Sequence, residues 1–136
     1  MKSYPFRLLG DDSLVVVDGL VDGRDVRLAI DTGASHTVVD LTALLIAGYS
    51  LSDIKGATQF ETAQGIMDAH VFQLKKFEVL GMQLTNFDIS SYDFLAYGLV
   101  TEFDGMLGLD FFKGKKVCFD FGKSLVSIEA SPPANS

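Results

Sequence analysis

Short runs of β-branched and aromatic residues, separated by glycines, dominate this chain. The chain has 13 glycines and 3 prolines. Asp22-Gly23 marks a tight turn, because an Asp-Gly pair tolerates the positive φ angles that such turns require. Gly122-Lys123 separates two further apolar runs near the end of the chain. This spacing predicts an all-β domain of short strands joined by tight turns.

The apolar runs place the individual elements. The predicted strands cover residues 13–17, 26–30, 59–62, 69–77 with 75–80, 84–90, 117–121 and 125–128. Gln64-Gly65 lies between two of them and predicts the tip of a long hairpin. Helix is scarce: residues 41–47 predict about two turns with Asp40 as the N-cap, and residues 109–112 predict one more.

Length and charge restrict the class of protein. The 136 residues fit one domain that buries its own core. With 18 acidic and 11 basic residues the net charge is −7, which argues against a nucleic-acid partner. We expect a single domain over residues 1–129 and a disordered tail over residues 130–136, ASPPANS.

Cysteine usage and apolar stretches indicate the compartment. The single cysteine, Cys118, cannot form an internal disulfide, which fits a reducing environment. The start, MKSYPFRLLGDD, lacks the apolar core of a signal peptide, and no stretch reaches the roughly 20 apolar residues of a membrane span. We therefore expect a cytoplasmic chain without membrane insertion.

Cys118 lies in the run VCFDF and is expected in the core. Phe119 and Phe121 are expected in the core or at an interface.

The sharpest motif is Asp31-Thr32-Gly33-Ala34-Ser35, directly after the apolar run 26–30. A carboxylate at a strand end, followed by a small residue and a glycine, can sit on a tight turn at the mouth of a cleft, where glycine lets a substrate approach the backbone. An Asp that merely accepts backbone N–H bonds in a turn is the alternative interpretation. The wider context favours the first: Ala63-Gln64-Gly65 occupies the hairpin turn, and Met106-Leu107-Gly108 follows between apolar residues.

In order and spacing, residues 13–128 resemble the retropepsin-like aspartic peptidases, specifically their bacterial single-domain members. The shared features are DTGAS, TAQG and MLGLDFF. The resemblance implies a closed β-barrel with one or two short helices and a flap hairpin. It also implies that Asp31 is catalytic, that the Thr32 hydroxyl bonds across a dimer and that Gly33 gives the substrate backbone room, with Ala34 and Ser35 completing the loop.

The same resemblance assigns the two other motifs. Ala63, Gln64 and Gly65 correspond to the flap tip that closes over a bound peptide. Gly108, with Met106 and Leu107 before it, corresponds to the segment packed behind the catalytic loop.

The chemistry of amide hydrolysis requires two carboxylates. Two such groups about 3 Å apart share one proton, so that one acts as a base toward water and the other as an acid toward the product. This chain has one D-[ST]-G, because no other Asp is followed by Thr-Gly or Ser-Gly. We therefore expect a homodimer with the site on its two-fold axis, a peptide or protein substrate, and neither a cofactor nor a metal.

The sequence leaves three alternatives open. The same fold can serve as a non-catalytic dimerisation or peptide-binding module. A serine hydrolase using Ser35 and His70 is disfavoured because Thr37 stands where the nucleophile elbow needs glycine. A metal site at His36 and His70 is disfavoured because neither histidine lies in a metal-binding motif.

Overall fold

A computed structural model describes residues 2–11, 13–62 and 65–131 of the chain. Within these ranges the strands are β1 (Ser3–Pro5), β2 (Arg7–Leu9), β3 (Leu14–Val21), β4 (Arg24–Ile30), β5 (Val38–Asp40), β6 (Gly56–Thr62), β7 (Gly65–Val79), β8 (Met82–Tyr92), β9 (Gly105–Leu107), β10 (Lys115–Asp120) and β11 (Leu125–Ala130). The helical elements are α1 (Leu41–Ile46), α2 (Leu109–Phe112) and the 3₁₀ turns Leu51–Asp53 and Leu95–Tyr97.

The main sheet closes into a barrel. Its strand order is β2-β3-β4-β9-β5-β8-β7-β6, and an additional antiparallel pairing joins β3 to β7. The Asp22-Gly23 hairpin between β3 and β4 forms as predicted, since both residues have positive φ, 47° and 82°. The predicted all-β class and closed barrel with two short helices are thus confirmed.

At the centre of the barrel, a strand from late in the chain lies between two consecutive strands. β4 and β5 follow each other in the chain but do not pair; β9 lies between them. β9 runs parallel to β4, with Ile30 opposite Leu107, and antiparallel to β5, with Val38 opposite Met106. The segment that joins β4 to β5 must therefore pass over the end of β9, and this segment carries the DTGAS motif.

Two apolar clusters fill the domain. The larger is built around fully buried side chains that include Phe72, Phe77 and Phe111. The smaller combines Val38, Ala69, Tyr92 and Phe94 with the partly buried Met67, Phe103 and Met106. The second cluster lies next to the β4–β5 segment through Val38, which follows that segment in the chain.

The chain ends build a separate sheet in the order β1-β11-β10. Phe6 is buried beneath it and makes edge contacts with Phe119 and Phe121, at centroid distances of 6.2 and 5.4 Å. Phe119 and Phe121 themselves are 37% and 61% exposed. The expectation that Cys118 is a core residue is wrong, because this side chain is exposed on β10.

Further local details differ from the sequence predictions. Asp40 stands at the N-cap position of α1 without capping it, because its Oδ1 accepts the backbone N–H of Phe94 at 3.1 Å instead. β11 continues to Ala130, and the amide of Ser131 donates to the carbonyl of Gly114 at 3.0 Å. The remainder of the predicted tail, residues 132–136, lies outside the described residues. Within the described part of the chain, no helix is long and apolar enough to cross a membrane.

Candidate active site

The β4–β5 segment begins with a tight turn that the end of β9 anchors. The amide of Asp31 donates to the carbonyl of Leu107 at 2.9 Å. The amide of Ala34 donates back to the carbonyl of Asp31 at 3.1 Å, which closes a β-turn with Thr32 and Gly33 at its corners. Thr32 and Gly33 are exposed, whereas Asp31 is partly buried.

A backbone amide of the same turn orients the Asp31 carboxylate. Its Oδ1 accepts the amide of Gly33 at 3.0 Å. A Cβ at position 33 would stand 3.2 Å from this oxygen, tighter than ordinary van der Waals contact. Glycine therefore leaves the approach to the carboxylate open.

Gly108 supports the segment from below. The amide of Leu109 donates to the carbonyl of Ala34 at 2.8 Å, and the amide of Asp110 donates to the carbonyl of Ser35 at 3.2 Å. A Cβ at Gly108 would lie 2.6 Å from the backbone of His36 and 2.9 Å from the carbonyl oxygen of Ala34. Only glycine allows the two backbones to approach this closely.

Thr37 and Asp110 form a bridge, although neither was among the predicted site residues. The amide of Thr37 donates to both carboxylate oxygens of Asp110, at 2.9 and 3.0 Å, and its hydroxyl donates to Oδ1 at 2.7 Å. The same hydroxyl accepts the amide of Gly108 at 3.1 Å. The signal in the sequence was an aspartate two residues after the motif glycine Gly108, inside the short helix α2.

The Asp31 turn opens into a cleft of about 500 Å³. Residues from the loop, the β6–β7 hairpin and the second apolar cluster line it: Asp31, Gly33, Ala34, Ser35, His36, Val38, Thr58, Gln59, Met67, Tyr92 and Met106. Burial raises the pKa of the Tyr92 phenol, and the negative charge of Asp40 raises this pKa further. The cleft therefore combines a carboxylate, an apolar wall and a phenol that stays protonated at neutral pH.

The structure brings together two of the three predicted motifs. Asp31–Ser35 and Met106–Gly108 meet at the end of β9. Gly65 begins β7 opposite Thr62, with φ of +122°, while Ala63 and Gln64 lie outside the described residues. Thr58 and Gln59 of the same hairpin line the cleft.

Of the residues in the alternative sites, Ser35 and His36 line the cleft, whereas His70 lies apart from it. His70 pairs with Ala57 and Ser91 in the barrel and is not among the described residues that line the cleft. Across residues 2–11, 13–62 and 65–131, no three or more His, Cys, Asp and Glu side chains are grouped so that they could hold a metal ion.

Two of the solved structures that resemble the chain show its fold. A retropepsin-like aspartic protease from Rickettsia conorii has a TM-score of 0.68 and 18% sequence identity, covering 96% of this chain and 92% of that protein. The retroviral protease-like domain of Ddi1 from Leishmania major has a TM-score of 0.55 and 15% identity, covering 85% and 88% respectively. At these identities the likeness shows the fold.

Sequence comparison supplies the family. No curated protein sequence matches the chain significantly. A family model described as aspartyl protease matches residues 17–111, a range that includes the Asp31 turn, the β6–β7 hairpin and the Gly108 segment. Because this match spans more than half of the chain, the protein belongs to the aspartyl protease family and has its retropepsin-like fold.

Proposed function

We propose that the protein is an aspartic endopeptidase in which Asp31 from each of two chains activates a water molecule. One observation carries this proposal: the Asp31 carboxylate lines a cleft of about 500 Å³, and the amide of Gly33 orients this carboxylate through a hydrogen bond of 3.0 Å. Among the described residues that line the cleft, Asp31 is the one carboxylate. A dyad at this position therefore needs a second copy of the chain.

The proposed reaction uses the two carboxylates in complementary roles. The ionised Asp31 takes a proton from water, and the water oxygen attacks the carbonyl carbon of the scissile bond. The protonated Asp31 of the other chain donates a hydrogen bond to the carbonyl oxygen and then supplies a proton for the leaving amine. The tetrahedral intermediate collapses with cleavage of the C–N bond, and the dyad again holds one proton.

Exposed groups beside the turn and on the terminal sheet support a homodimer. Thr32 is exposed next to Asp31, where its hydroxyl can reach a partner loop across a two-fold axis. The stacked rings of Phe119 on β10 and Phe121 just after it leave an exposed aromatic patch, and β10 is an edge strand of the terminal sheet. Burial against a second copy would remove this apolar surface from water.

We further propose that the β6–β7 hairpin acts as a flap. Thr58 and Gln59 of β6 line the cleft, and in this proposal Ala63, Gln64 and Gly65 form the flap tip. Closure over a peptide would exclude water from the dyad. In this proposal Gly33, Ala34 and Ser35 shape the floor beneath the substrate, and Met106, Leu107 and Gly108 hold that floor in place.

We also propose a reducing compartment, such as cytoplasm, because an exposed free thiol at Cys118 persists most readily there.

The direct test is incubation of the purified chain with a diverse peptide library, followed by mass spectrometry of the products. We expect cleavage by the wild type and none by Asp31→Asn. The Asn variant keeps an oxygen that can accept the Gly33 amide, so it should remain folded. A dimeric, folded wild type that cleaves nothing would favour the non-catalytic dimerisation or peptide-binding module instead.

A further inference from the structure

The carboxylate of Asp110 is held by directed hydrogen bonds rather than by a cation. It receives the Thr37 amide and hydroxyl, and the Phe111 amide lies 2.9 Å from its Oδ1. None of the ion pairs among the described residues includes Asp110. Hydrogen bonds to an ionised acceptor are shorter and stronger than neutral ones, so these donors are fixed in direction.

The Thr37 hydroxyl passes this orientation on to Gly108. Thr37 is fully buried, and its hydroxyl has one proton, which points to Asp110 at 2.7 Å. A lone pair of the same oxygen then faces the amide of Gly108 at 3.1 Å. The direction of the hydroxyl, and with it the position of Gly108, depends on the carboxylate.

Gly108 in turn touches the backbone above it. Gly108 packs so closely against the backbone of Ala34 and His36 that a Cβ would not fit between them. A shift of Gly108 must therefore move the loop. The loop is thus tied at its start through Asp31 and Leu107, and at its end through Thr37 and Asp110.

We propose that Asp110 is a positioning residue for the dyad, acting through Thr37 and Gly108 on the loop that holds Asp31. The inference rests on the proposed peptidase function, because two carboxylates must meet about 3 Å apart. A misplacement of about 1 Å by a distant change can lower a rate by about 100-fold. Asp110 therefore controls turnover without touching the substrate.

Three variants separate this role from simple stabilisation. Asp110→Asn removes one acceptor oxygen, Thr37→Val removes the hydroxyl, and Thr37→Ser keeps it. We expect Asp110→Asn and Thr37→Val to lower kcat by about 10- to 100-fold with KM changed by less than about twofold. Thr37→Ser should retain most of the wild-type kcat, because its hydroxyl preserves the relay.

The double variant tests whether the two residues act as one unit. If they do, Asp110→Asn with Thr37→Val should lose little more than the worse single variant, since residues in one network are not additive. Losses that multiply would overturn the relay. So would an unchanged kcat in Asp110→Asn, or a Thr37→Ser variant as impaired as Thr37→Val. If Asp110→Asn does not fold, the Thr37 pair alone decides the question in the same way.

Asp53→Asn is the matched control, because Asp53 also accepts a backbone amide, that of Ser50 at 2.8 Å, beside a short helical turn. It should lower thermal stability without changing kcat. Hydrogen–deuterium exchange provides a readout independent of turnover: Asp110→Asn should speed exchange in residues 31–37 and leave β10 and β11 protected. If the wild type cleaves nothing, the proposed function fails, while this exchange pattern still supports or overturns the positioning role.

Discussion

The amide of Asp31 and the carbonyl of Leu107 meet at 2.9 Å, which joins two motifs from opposite halves of the chain. This bond exists because β9 lies between β4 and β5. The turn that carries the carboxylate is therefore built on a strand that enters the sheet late in the sequence. Changes beneath the turn should be as damaging as changes within it.

Gly108→Ala tests that dependence. The new methyl would lie 2.6 Å from the His36 backbone, a distance that real Cβ atoms do not adopt. We expect a loss of about 1–3 kcal/mol in the free energy of unfolding, measured in denaturant. Gly56→Ala is the control, because a Cβ at Gly56 meets nothing within 4 Å. Equal stability of Gly108→Ala and the wild type would contradict the close packing.

The flap proposal predicts that a substitution at Gly65 lowers turnover more than its loss of stability alone explains. Its φ of +122° disfavours any L side chain, and a β-branched one most of all. Gly65→Val should cost about 1–3 kcal/mol of stability, as should Gly23→Val in the β3–β4 turn, where φ is +82°. Turnover should fall more in Gly65→Val than in Gly23→Val. Similar turnover in the two folded variants would argue against a gating role.

Thr32 allows the dimer to be weakened without removing the carboxylate. If its hydroxyl bonds across the axis, each lost bond is worth about 0.5–1.5 kcal/mol. The dimer dissociation constant of Thr32→Ala should rise about twofold to tenfold per bond, whereas Thr32→Ser should stay close to the wild type. Sedimentation equilibrium measures both. An unchanged constant in Thr32→Ala would remove Thr32 from the interface.

The raised pKa of Tyr49 predicts a loss of stability at alkaline pH. Its hydroxyl accepts the amide of Lys75 at 2.9 Å; burial, followed by a hydrogen bond with Asp22, raises its pKa to about 12. In the unfolded chain a tyrosine titrates near pH 10, so between about pH 10 and 12 the unfolded state binds fewer protons than the folded state. Stability should therefore fall as the pH rises through this window.

Tyr49→Phe is the comparison for that effect. It should be less stable than the wild type at neutral pH, because the Lys75 amide loses its acceptor. Its stability should decline less between about pH 10 and 12 than that of the wild type, since the variant has one fewer titrating phenol. Chemical denaturation at several pH values measures the stability of both proteins. If stability fell equally with pH in the wild type and in Tyr49→Phe, the raised pKa of Tyr49 would be contradicted.

Local patterns made the strands and the motif residues predictable. The run 26–30 became the end of β4, and Asp22-Gly23 formed the expected hairpin, because turn chemistry and strand propensity act over a few residues. The DTGAS segment likewise lies in a turn after a strand. Sequence alone was sufficient here because each feature depends on its immediate neighbours.

Long-range partners were less predictable. Asp40 precedes a helix, as an N-cap does, but its carboxylate is used by Phe94, which is distant in sequence. Asp110 lies in the MLGLDFF segment, but nothing next to it in the sequence indicates its partner Thr37, which lies 73 residues earlier. Cys118 lies in an apolar run, but β10 is an edge strand whose faces are only partly covered.

A mixing experiment tests the shared dyad most directly. Wild-type chain at constant concentration is equilibrated with increasing Asp31→Asn chain, and peptide cleavage is measured. If each site needs Asp31 from two chains, activity per wild-type chain should fall to about half at equal amounts and continue falling with excess. Activity that stays constant per wild-type chain, or cleavage by Asp31→Asn alone, would contradict a dyad formed by two copies of Asp31.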